Sequence, residues 1–136
     1  MEELGRRGDG YGQDGRRRAC DLFFVTTEKS ARDYSPTTMY RDYAISPTLF
    51  HWESQSTTAA DSVTGRRYQR HRDLGTNVLL FVRRRNEDDR GVAAPYVCLG
   101  LADYVRHEGE RPMAITWALR RPMPAAFFAE TRLAAA

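Results

Sequence analysis

The sequence predicts a β-rich α+β domain: a small twisted sheet or partly closed barrel of five to six strands, with short helices and a C-terminal helix. Three observations lead there. Short apolar runs recur along the chain (CDLFFVTT, NVLLFVR, PYVCLGLA, MAITWAL), with turn residues between them. Apolar residues at helical spacing gather only near the end, at Phe127, Phe128 and Leu133. At 136 residues, 41% hydrophobic and 29% charged, the chain suits a single folded core.

The elements follow in order. Residues 1–19 (MEELGRRGDGYGQDGRRRA) are rich in Gly, Arg and Asp and read as a flexible leader, so the single β-rich domain spans 20–136. Cys20 opens the first strand. Pro36 and its polar neighbours break the chain, and 40–45 is a short strand or one helical turn. Ser46 and Pro47 suit the cap and first position of a short helix. A strand over 49–55 leads to a loop over 56–65 and a helical turn over 66–72. The clearest strand is 77–83. A charged hairpin loop over 84–94 returns through 95–107, with a bulge at Gly100. A turn at 107–110 precedes the strand 113–119, which closes the sheet, and Pro124 starts the last helix.

Charge narrows the function. The net charge is +3 and the pI about 9.1, which permits nucleic-acid binding without demanding it. Of the 21 basic residues only Lys29 is lysine. Arginine forks suit phosphates and guanine edges, although a GC-rich genome yields the same bias without any function. Cys20 and Cys98 match no metal spacing, and the sequence has neither a signal-peptide core nor a membrane-length apolar run. The expectation is a soluble, cytoplasmic protein.

The densest chemistry lies between Leu49 and Arg72. Trp52, Tyr68 or Tyr43 could stack on a base or sugar, while core packing is the competing reading for Phe50 and Trp52. Ser54 and Gln55 could read an exposed base edge, or could simply satisfy a loop backbone. Arg66, Arg67, Arg70 and Arg72 crowd seven residues and would repel one another unless exposed or set against anions, for which phosphates are the natural partner. The charges of Arg83–Arg85 are cancelled by Glu87, Asp88 and Asp89. His51 with Glu53, and His107 with Glu108 and Glu110, supply parts of a metal site without a diagnostic spacing. No HExxH, GxSxG, P-loop or CxxC motif occurs, so no catalytic, metal or cofactor site is assigned.

The segments EKSARDYSPTTMYRDYAISPTLFHWESQSTT, SVTGRRYQRHR, VLLFVR and PYVCLGLADYVRHEGERPMAITWALRRPMP resemble a bacterial domain of unknown function. That domain closes long DEAD/DEAH-type helicase-like proteins, often ones with a phospholipase-D-like nuclease domain. The likeness runs from Leu22 to about Phe128. It implies DNA processing, in defence or repair, and carries over no catalytic residue. Walker A and DExH motifs are missing from this sequence, so unwinding is not implied. The expected function is therefore a nucleic-acid-binding accessory domain of a helicase or nuclease system, probing DNA and in one variant reading a flipped or modified base. The rival is a protein-docking module anchored by Trp117, Phe127 and Phe128. A third reading is a small metal-dependent nuclease using His51 and Glu53.

Overall fold

The computed structural model describes residues 4–11, 17–28 and 42–132. It is a mixed sheet with helices on one face. The strands are β1 (Leu4–Tyr11), β2 (Arg17–Thr26), β3 (Tyr43–Ser46), β4 (Leu49–Glu53), β5 (Thr76–Arg83), β6 (Val97–Glu108) and β7 (Ala114–Leu119). The helices are α1 (Val63–Gln69) and α2 (Ala125–Thr131). The sheet order is β1-β2-β5-β6-β7-β4-β3, with β1 and β3 at opposite edges, so the sheet is open rather than a barrel. Among the described strands only β2 and β5 pair in parallel; the chain between them passes through β3, β4 and α1.

Strand periodicity explains the layers. In β5 Thr76, Val78, Leu80 and Val82 are buried while the residues between them are half-buried, because alternate side chains face opposite sides. β4 does the same with Phe50 and Trp52. Opposed on the helix-covered face are Phe23 and Val25 of β2 and Ile115, Trp117 and Leu119 of β7. Phe23 stacks on Trp52 at 4.5 Å and 7°, and Tyr68 of α1 meets both rings edge-on. Burying each large apolar side chain contributes roughly 1.5–3 kcal/mol, so this cluster is what fastens α1 to the sheet. The Nε1 atoms of Trp52 and Trp117 have no hydrogen-bond partner in it.

Most expected elements are present, with shifts that have physical causes. β1 pairs antiparallel with β2 from Leu4↔Phe24 to Tyr11↔Arg17, so backbone pairing holds part of the stretch that composition suggests as leader. Ser46 and Pro47 form no helix cap: Pro47 and Thr48 make the tight turn of the β3–β4 hairpin. The strand over 113–119 does not close the sheet at an edge but lies inside it, between β6 and β4. The helix expected at 66–72 begins three residues earlier, because Ser62 caps it, its side chain accepting from Gly65 N at 3.0 Å. The bulge at Gly100 is present, opposite the register shift between Leu80 and Phe81, with Gly100 at φ +85°. Pro124 precedes α2 as expected. The expected break around Pro36 lies outside the described residues.

Candidate nucleic-acid interface

The segment after α1 is held by a histidine. His71 is buried; its Nδ1 lies 3.0 Å from Thr76 O, and its Nε2 accepts from Tyr104 N at 3.0 Å. A ring nitrogen that accepts a backbone N–H carries no proton, so Nδ1–H is the donor to Thr76. This clamp fixes the 70–75 turn against β6, and Arg72 Nη2 reaches Tyr104 O at 3.4 Å. The turn and α1 therefore present their arginines from a rigid base.

The four arginines of the basic run divide by partner. Arg67 donates to Asp21 at 2.8 Å, with the Asp21 side chain only 4% exposed. It is held inward by a buried carboxylate, so the phosphate role expected for Arg67 gives way to a structural one. Arg66 and Arg70 stand one helical turn apart and exposed, as the i, i+4 spacing requires. Neither has an ion-pair or side-chain hydrogen-bond partner among the described residues. Arg72 is exposed too. A groove of about 570 Å³ runs beside them, lined by Val63, Arg66, Arg67, Arg70, Leu74 and Thr76. Arg106, Arg111 and Arg121 are likewise exposed and unpaired among the described residues, but none of them lines this groove. Arg84 pairs with Glu28, Arg85 with Asp89, Arg90 with Asp88 and Arg120 with Asp103. Arg83 is tied to Thr26 and Asn86 and lies over Tyr96 at 4.3 Å. The hairpin tip is thus neutralised, as its alternating charges suggest.

The expected stacking and edge-reading residues are scattered. Trp52 is 3% exposed and Tyr68 8%, so both rings are spent on the core and neither offers a face to a base. Ser54 is fully buried: its Oγ accepts from Met113 N at 2.8 Å and donates to Gln55 O at 3.1 Å. It ties the β4 end to the turn before β7 and cannot read a base. Gln55 is exposed on the following loop, apart from the arginine groove. That loop is anchored by Ala60 N donating to Glu110 Oε2 at 2.7 Å and Arg111 N to Thr58 O at 2.8 Å. Tyr43 is half-buried at the sheet edge, stacked on His51 at 4.6 Å. Trp117 is also buried, while Phe127 and Phe128 are half-buried against the core, so of the three anchors of the docking reading only these two keep exposed surface.

Among the described residues no three His, Cys, Asp or Glu side chains come together as a metal site, so His51 and Glu53 gain no third ligand there. No described helix is long and apolar enough to cross a membrane. Sequence reasoning missed the Asp21–Arg67 pair. Its one signal was an acid, Asp21, at the inward-facing register of an otherwise apolar strand.

A family model described as a domain of unknown function (DUF3427) matches residues 2–131, nearly the whole chain, and the chain belongs to that family. No curated protein matches it.

Proposed function

We propose that this member of the DUF3427 family is a nucleic-acid-binding accessory domain that grips DNA phosphates through Arg66, Arg70 and Arg72. The observation carrying the reading is a pair of arginines one helical turn apart, exposed beside a groove and without a side-chain partner among the described residues. Arg67, Arg84, Arg85, Arg90 and Arg120 are each paired with a carboxylate. Arg66 and Arg70 stand exposed beside a groove with no described acid against them. Exposed guanidinium groups on a rigid turn fix register on a phosphate backbone without reading sequence. The sequence resemblance to domains that close helicase-like proteins supports the same role, with a helicase-like or nuclease protein as the partner that acts on the bound DNA. Reading of a flipped base is not assigned to Trp52 or Tyr68, whose faces are occupied.

The test is the Arg66→Ala/Arg70→Ala double variant, which leaves the Asp21–Arg67 pair intact. Its DNA affinity should fall and its salt dependence flatten; unchanged binding sinks the assignment. A second reading rests on the same groove. Val63 is 85% and Leu74 57% exposed, so an apolar segment of a partner protein could seat there with the arginines at its rim. Such a dock would persist at high salt, where phosphate contacts weaken steeply.

A further inference from the structure

The two edges of the sheet differ. β3 is only four residues long, and Arg132 bridges to it at Ala44. β1, at the other edge, is eight residues long (LGRRGDGY), and no described strand pairs with its outer side. Its inner side is paired with β2 along its whole length, from Leu4↔Phe24 to Tyr11↔Arg17. A long open edge presents a row of backbone N–H and C=O groups that can pair with another strand. Those outward groups come from alternate residues in an antiparallel pair. A two-fold axis between two copies of β1 must therefore pass at a residue and not between two residues, which leaves few registers. Centring on Arg6, Arg7 or Asp9 sets that charged residue against its own copy, and like charges directly opposite are unfavourable. Centring on Gly5 or Gly10 leaves most of the strand unpaired. Centring on Gly8 sets Arg7 opposite Asp9, Arg6 opposite Gly10 and Gly5 opposite Tyr11, with no like pair.

We propose that β1 pairs antiparallel with β1 of a second copy of this chain, about a two-fold axis at Gly8, so that two seven-stranded sheets become one. Each dimer holds two Arg7–Asp9 pairs of opposite charge and two Gly5–Tyr11 pairs, an aromatic residue opposite a glycine being a combination that supports glycine in edge strands. The register is self-complementary, as an isologous interface requires, and it closes at two copies because it uses both long edges. Opposed residues lie on one face of a sheet, so the axis stands perpendicular to the sheet and both copies carry α1 on the same side. The two β2 strands lie three strand spacings apart, about 14 Å. Arg67 ties each α1 to its β2 through Asp21, so the dimer sets two arginine strips side by side. The pairing itself does not depend on what those strips bind.

The experiment is sedimentation equilibrium of the whole chain across a wide concentration range, with amide hydrogen exchange measured at both ends of that range. A monomer–dimer equilibrium is expected, with the amides of Leu4–Tyr11 exchanging more slowly at high concentration and those of β3 unchanged. Asp9 lies opposite Ala19 of β2, so Asp9→Arg removes no charge pair across β2 but turns both Arg7–Asp9 pairs of the dimer into like-charged ones. Dimerisation should weaken about tenfold or more, whereas Asp9→Glu should stay near the parent value. Hydrogen exchange on the parent needs no variant, so it decides the question even where Asp9→Arg folds poorly. A monomer at every concentration, exchange of Leu4–Tyr11 indifferent to concentration, or a dimer unmoved by Asp9→Arg overturns the proposal. Neither readout involves DNA, so failure here and failure of the phosphate reading are separate results.

Discussion

Replacing Arg67 by alanine should destabilise the domain far more than replacing its neighbour Arg66. Arg67 Nε lies 2.8 Å from Asp21 Oδ2, and the two side chains are 21% and 4% exposed. Removing the guanidinium leaves a carboxylate buried under α1 without its cation. Breaking a buried pair from one side costs about 3–5 kcal/mol; the partial exposure of Arg67 puts this case near the low end, about 3 kcal/mol. At roughly 2.1 cal/mol/K per residue, 136 residues give an unfolding entropy of about 0.29 kcal/mol/K. Arg67→Ala should therefore lower Tm by about 10 °C in a thermal melt. Arg66→Ala, exposed and unpartnered among the described residues, should stay within about 2 °C of the parent. Adding Asp21→Asn to Arg67→Ala removes the stranded charge and should recover about half of the loss. A Tm for Arg67→Ala indistinguishable from that of Arg66→Ala would refute the reasoning, and with it the division of the basic run into one structural and three surface arginines.

Other consequences follow from the same geometry. Gly65→Ala would drive a methyl group into the Ala59 carbonyl under α1; the helix cannot dock without moving, and chemical denaturation should show a loss of about 2 kcal/mol or more. His71→Phe keeps the ring but strands Tyr104 N and Thr76 O, two backbone groups now bonded to imidazole; a loss of about 2–4 kcal/mol is expected, checked by denaturation, while Arg72→Ala should change stability little. Asp103 is held below its ordinary carboxylate range, first by the hydrogen bonds from Arg120 and then by the charge of Arg120, which outweigh its partial desolvation. A depressed folded-state pKa contributes stability above the usual pKa of 3.8, and that stability is lost as pH falls through the lowered value. The Tm gap between the parent and Arg120→Ala should thus be present at neutral pH and close in acid, once pH falls through the lowered Asp103 pKa; a gap that persists in acid would show that Arg120 acts by packing alone.

The strands were legible because their signal is local. The runs CDLFFVTT and NVLLFVR carry period-two burial that any pairing must respect, while MAITWAL, inside the sheet, buries Ile115, Thr116 and Trp117 in succession. Pairing order was not legible: nothing near β2 says that its neighbour is β5, about fifty residues on, or that β7 lies inside the sheet. The start of α1 turned on Ser62, a cap whose partner Gly65 the sequence suggested only as loop. The candidate site was half legible. Crowded arginines point to a surface, but which of them is free depends on Asp21, 46 positions away. The burial of Trp52 and Tyr68 was not legible because an aromatic residue beside polar neighbours has the same sequence pattern whether it faces Phe23 or solvent. Tyr43 and His51 were noted for separate reasons, and only the β3–β4 register brings them together.

The most direct test of the central claim is the salt dependence of DNA binding, by fluorescence anisotropy with a labelled duplex at 50 and 200 mM salt. Three phosphate contacts from Arg66, Arg70 and Arg72 give a log–log slope of about −2.7, or roughly a fortyfold loss of affinity over that range. The account expects that loss in the parent chain and a slope near zero in the triple alanine variant. Absence of binding at 50 mM, or equal slopes in the two proteins, would contradict it.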